Sequence, residues 1–121
     1  MGQRARFQEI LRRLAIMDEG VVQDQAGLGL SLGQGGPWVM DPKTAALVQM
    51  GALVATGSPA VCLEWGVSRA LAAGATEDEI TDVLLAVAAA AGLGRVVGAT
   101  VGVADGLGYD VQAALLDPDD R

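Results

Sequence analysis

Four interruptions divide residues 41–106 into helix-length pieces, and they constrain the fold more than any other feature. Asp41-Pro42 and Ser58-Pro59 each set an acceptor side chain before a proline. Gly74 is followed by Thr76-Glu77-Asp78-Glu79, and Gly92-Leu93-Gly94 breaks an apolar run. An N-cap aspartate or serine accepts from the unpaired N–H groups of the first turn, and a proline just inside loses only an N–H without a partner there. Glycine tolerates the left-handed conformation that closes a helix. Threonine followed three residues later by glutamate is a capping box, and acids in that turn suit the helix dipole. The spacing predicts helices from Asp41-Pro42 to Ala55, from Ser58-Pro59 to Ala73, from Thr76 to Ala91, and over 95–106.

The flanks follow the same logic. Phe7, Ile10, Leu11, Leu14 and Met17 recur at three- and four-residue steps with charges between them, which predicts an amphipathic helix over 3–17. Val21, Val22, Leu28, Leu30 and Leu32 support a short helix near 20–31, and Gly33, Gly35, Gly36 and Pro37 end it. Asp110 is placed to cap a last short helix, 111–116. No alternating strand pattern is present, so the expected fold is an all-α bundle of about six helices in a single domain, residues 1–121. A chain of this length builds a core without a disulfide or a structural metal.

Val83 to Ala104 is apolar apart from Arg95 and Thr100, long enough to be mistaken for a membrane span. A mid-span arginine costs about 2.5–3.5 kcal/mol on insertion scales, and the glycines at 92 and 94 break the run. Two buried helices are expected instead, the first of them central because it is almost wholly apolar after Asp82. Aromatic residues are only 3% of the chain, and Gly94, Gly98, Gly102 and Gly106 fall every four residues. That ridge lets a second backbone approach closely, either within the core or across a subunit contact.

The chain has no histidine, which excludes imidazole acid–base chemistry, a Ser-His-Asp triad and histidine-ligated metal. Its one cysteine forms neither an internal disulfide nor a cysteine zinc site. No metal and no cofactor are expected; Gly27-Leu28-Gly29 and Gly92-Leu93-Gly94 lack the strand context of a dinucleotide loop, and no Walker motif is present. The net charge of −7 disfavours nucleic acid, since the arginines at 4, 6, 12 and 13 cluster only weakly. A free cysteine and an N-terminus without an apolar leader-like run fit a cytoplasmic setting.

Reactive residue types concentrate in Cys62-Leu63-Glu64-Trp65. Cys62 falls in the first turns of its helix, where the N-terminal dipole favours a thiolate; an apolar Ala-Val-Cys-Leu run equally suits plain packing. Glu64 is the only acid between Asp41 and Glu77. It is either a general acid or base or a solvated residue paired with Ser68 or Arg69. Arg95 stands in an apolar neighbourhood and is expected to need a carboxylate, either a side chain or a ligand. Trp65 walls a pocket or anchors a core or interface.

Cys62-Leu-Glu-Trp-Gly-Val-Ser-Arg-Ala-Leu-Ala-Ala-Gly-Ala-Thr-Glu-Asp-Glu-Ile-Thr-Asp-Val-Leu, with Ala-Gly-Leu-Gly-Arg95 after it and Asp41-Pro-Lys-Thr before it, resembles the carboxymuconolactone decarboxylase/alkylhydroperoxidase D-like family. The similarity covers residues 38–110, with 1–37 as an N-terminal extension. It implies an all-α fold assembling as trimers or hexamers with sites near subunit contacts. The peroxidase branch carries Cys-x-x-Cys-x-x-x-His. Pro59 stands here at the first cysteine, Cys62 at the second and Gly66 at the histidine, while the acidic relay falls on Leu47 or Ala46. The decarboxylase branch has glutamate four residues before its histidine, positions occupied by Cys62 and Gly66. Glu64 is a candidate replacement acid, but two helical positions turn a side chain by about 200°.

Three functions follow. The first is binding of a small anionic or lactone-like metabolite at a subunit-interface pocket, anchored by Arg95 and Trp65, with decarboxylase- or isomerase-type activity through Glu64 or Cys62. The second is a non-catalytic oligomeric scaffold that kept the fold without the site. The third is a one-cysteine thiol peroxidase, antioxidant in effect, or a redox sensor, in which Cys62 forms a sulfenic acid resolved by an external thiol.

Overall fold

A computed structural model describes residues 5–20 and 39–116, which fall in two compact units, Met1–Val39 and Met40–Arg121. Among the described residues there are six helices and no strand: α1 Arg6–Ala15, α2 Pro42–Ala55, α3 Ala60–Ala72, α4 Glu77–Ala91, α5 Leu93–Gly106 and α6 Val111–Leu116. The expected helix near 20–31 lies outside the described residues.

In the first unit, α1 is shorter than the apolar pattern suggested. Met17 ends it in the left-handed region at φ 61°, with its N–H bonded to Leu14 O and that of Asp18 bonded to Arg13 O. Arg12 pairs with Glu9 at 2.7 Å and Arg13 with Asp18 at 2.8 Å. No residue of α1 is buried.

The second unit is built on the expected punctuation. Asp41 Oδ1 accepts from the Thr44 N–H at 2.7 Å, and Pro42 is the first residue of α2. The capping box forms in both directions: Glu79 N–H donates to Thr76 Oγ1 at 3.0 Å and Thr76 N–H to Glu79 Oε1 at 2.9 Å. Lys43 reaches across to Glu79 Oε2 at 3.0 Å, tying the start of α2 to that of α4. α3 ends at Gly74, whose φ of 97° suits only glycine; Gly74 N–H donates to Leu71 O and Ala75 N–H to Ala70 O, a Schellman closure. Asp110 Oδ1 caps α6 through the Ala113 N–H.

One cap differs from expectation. Pro59, not Ser58, is the N-cap of α3, and it supplies no side-chain acceptor. The Schellman closure of α2 explains the shift. Gly57 takes φ 71° and Ser58 N–H turns back to Leu53 O, so Ser58 belongs to the end of α2 and its hydroxyl meets Thr56 Oγ1 at 3.2 Å.

α2, α3 and α5 enclose the core. Met50, Val54, Val67 and Val103 are all at most 1% exposed, with Leu63, Ala70 and Ala99 beside them. α4 is not the central helix its composition suggested. It covers one side of α2 and α5, only Ile80 is buried, and Leu85 stays 67% exposed. An alanine-rich helix has no preferred dry face, so its composition does not determine its depth.

The glycine ridge divides in two. A Cβ at Gly102 would stand 3.0 Å from Leu63 Cδ1 and 3.2 Å from Ala60 Cα, and one at Gly106 2.9 Å from Val67 Cβ. These two glycines let α5 lie against α3 within the chain. At Gly94 and Gly98, among the described residues, nothing beyond the neighbouring backbone of α5 lies within 4 Å of that position. The apolar run 83–104 breaks at Gly92, and no helix among the described residues is long and apolar enough to cross a membrane.

Candidate functional site

Cys62 is the third residue of α3, half-buried, and its N–H donates to Pro59 O at 3.0 Å. Gly66 lies one turn further along the same side of the helix and is buried. A Cβ there would come within 2.8 Å of Leu53 Cδ1 and 3.0 Å of Met50 Sδ. The space beside Cys62 that a longer side chain at 66 needs is therefore filled by two side chains of α2.

Glu64 is half-buried and about 200° around α3 from Cys62, so the two do not face one site. The alternative pairing of Glu64 with Arg69 does not form. Arg69 instead donates through Nη1 to Gln49 Oε1 on α2, and its guanidinium lies 4.9 Å from the centre of the Trp65 ring. Partial burial pushes the Arg69 pKa down. Trp65 is 43% exposed, so it is not a core anchor; it forms an aromatic ledge on the outside of α3.

Arg95 corrects another expectation. It is exposed rather than buried, because α5 turns only Val96 and Ala99 inward at this level. Its guanidinium folds across the α2–α3 turn onto Gly57, where a Cβ would overlap Nη1. Among the described residues no carboxylate is within ion-pair distance of it. Arg95 lines an open cleft of about 220 Å3 with Gly57, Ser58, Gly94, Gly98 and Ala99. The cleft thus holds one guanidinium, one hydroxyl and three glycines, and α3 begins beside it without a side-chain cap. Its wall does not include Cys62, Glu64 or Trp65, so the four candidate residues are not brought together within one chain. Among the described residues, no group of three or more acidic or cysteine side chains is placed to hold a metal ion.

Residues 35–106 match the model of the carboxymuconolactone decarboxylase family. The chain belongs to this family. No curated protein and no solved structure matches it at a significant level.

This family member has the helical frame. The match starts before α2 and ends with α5, which are the helices that form the core. Within it, Pro59, Cys62 and Gly66 occupy the positions at which the resemblance expects reactive groups. Sequence reasoning missed Gly57 and Ser58 as neighbours of Arg95, and Gln49 as a partner of Arg69. Gly57 carried a usable signal: a glycine right after a predicted helix end marks a turn whose backbone another side chain can approach.

Proposed function

We propose that the protein binds a small anionic or lactone-like metabolite in the cleft between the α2–α3 turn and α5, with Arg95 as its anchor. One observation carries this reading: a guanidinium with no carboxylate partner among the described residues, in a cleft floored by glycine and flanked by Ser58. A planar guanidinium presents paired donors that match a carboxylate. Gly94 and Gly98 leave the wall of α5 open to a second backbone, which supports completion of the pocket at a contact between subunits of a trimer or hexamer. Trp65, and any decarboxylation or isomerisation step through Glu64 or Cys62, belong to this reading only if that second subunit brings them to the cleft.

Titration calorimetry with succinate and with a carboxylated γ-lactone tests the anchor. Arg95→Gln is expected to weaken binding about tenfold or more, since a charge-assisted hydrogen bond contributes about 1.5–3 kcal/mol. Equal affinity in the variant, or no saturable binding by the parent protein, overturns it. The scaffold reading is favoured by a separate observation, the filling of the space at Gly66 by Leu53 and Met50. It predicts no saturable binding and an assembly unaffected by Arg95→Gln.

A further inference from the structure

A second cleft, of about 370 Å3, runs between α2 and α4 on their outer side. Thr44, Leu47, Val48 and Gly51 line it from α2; Val83, Ala86, Val87 and Ala90 line it from α4. Both sets follow the i, i+3, i+4, i+7 spacing, so each is a stripe along two turns, about 10.5 Å long. Leu47, Val83 and Val87 rest on the core and make the floor firm, while Val48 is 57% exposed. A groove of this shape accepts an amphipathic helix whose anchors repeat with the same spacing.

The chain carries one. In α1, Phe7, Ile10, Leu11 and Leu14 also stand at i, i+3, i+4 and i+7, and Phe7, Leu11 and Leu14 are 62%, 59% and 48% exposed. The charges are complementary too. α1 carries Arg6, Arg12 and Arg13 against Glu9, a net positive helix in which Arg12 is paired with Glu9 and Arg13 with Asp18 beyond its end. The first turns of α4 carry Glu77, Asp78, Glu79 and Asp82, and Glu79 and Asp82 stand one turn before the groove residues Val83 and Ala86.

We propose that the α2/α4 groove is the seat of an α1 helix donated by a second copy of the chain. This goes beyond the ligand reading and does not depend on it: it concerns another face and assigns an element to the contact. A benzoylphenylalanine placed at position 11 of the full-length protein, mixed with an isotope-labelled unmodified protein and irradiated, reads the contact directly. Crosslinks to labelled peptides containing residues 44–51 or 83–90 are expected. Light scattering on Leu11→Asp and on Val48→Asp is expected to show loss of assembly, with helical circular dichroism retained because neither residue is buried. A monomeric parent, an assembly mass unchanged in both variants, crosslinks confined to the unlabelled chain, or crosslinks outside the groove each overturn the proposal.

Discussion

Placing a histidine at position 66, where the family resemblance expects one, tests most directly whether the space there is filled. Gly66 is buried in α3 against α2, and already a Cβ would meet Leu53 Cδ1 at 2.8 Å and Met50 Sδ at 3.0 Å. The clash is with the ends of flexible side chains, so a single methyl can be absorbed. Gly66→Ala gains about 1 kcal/mol of helix propensity and loses a similar amount to crowding, and its stability is expected within about 1 kcal/mol of the parent. An imidazole ring has no such outlet. Met50 is 1% exposed and Val54 behind it is fully buried, so the ring must displace core side chains at about 1–3 kcal/mol. Burying its polar nitrogens without partners adds about 1–3 kcal/mol. Gly66→His is therefore expected to lose about 3 kcal/mol in urea unfolding and to melt about 10 °C lower or more. The companion variant Leu53→Ala with Gly66→His removes the nearest obstacle and should recover part of the loss, giving a non-additive cycle. A Gly66→His protein as stable as the parent would refute the reasoning, and peroxide-reducing activity in it would mean that the site is dormant rather than filled.

Three further outcomes follow from particular contacts. Gly57→Ala forces a side chain into the left-handed region and into the space of the Arg95 guanidinium; a loss of about 1–2 kcal/mol in urea unfolding is expected, and an unchanged midpoint would show that the turn relaxes freely. Asp41 and Glu79 are held below the ordinary carboxylate range, Asp41 first by the Thr44 N–H, and Glu79 first by the Thr76 N–H and then by Lys43. Because these folded-state values lie below the unfolded ones of about 4, their stabilisation is fully present above about pH 5 and is lost as pH falls through them. Glu79→Gln should flatten the acid limb of a stability–pH profile, and Thr76→Ala should cost about 1 kcal/mol at neutral pH; an acid limb identical to the parent's would refute the first. Cys62 is expected to alkylate more slowly in the native protein than in denatured protein, as its half-burial implies, whereas faster native alkylation would favour the thiol peroxidase reading.

The helices of the body were legible because their ends are written in local chemistry. Asp41, Gly74, Thr76, Glu79 and Gly92 act on backbone groups within a few residues, and no tertiary knowledge is needed to place them. Ser58 misled for an instructive reason: two consecutive devices, the closure of α2 and the start of α3, compete for it, and the closure wins. Burial was less legible. Residues 83–91 are so rich in alanine that they carry no face, and only packing shows that α4 lies at the side while Met50 and Val67 fill the middle. The candidate site was the least legible part. The apolar sequence neighbours of Arg95 suggest burial, but a residue at the start of a helix can leave the core by folding over an adjacent turn. Its neighbours in space, Gly57 and Ser58, are nearly forty positions away and have no pattern linking them to it.

The residues that fix the helix ends and the positions at which the resemblance expects reactive groups do not coincide, so one set can change while the other stays. The caps at Asp41 and Thr76 and the closures at Gly57 and Gly74 lie at helix ends. Positions 59, 62 and 66 lie at the start and on one side of α3. A glycine in place of a larger side chain at a buried helical position leaves a void unless neighbours fill it, and costs the helix about 1 kcal/mol relative to alanine. Here Leu53 and Met50 of α2 occupy the space beside Gly66, and this packing holds α2 to α3. Fitting a histidine at position 66 must therefore change α2 together with α3, because the single substitution costs stability first.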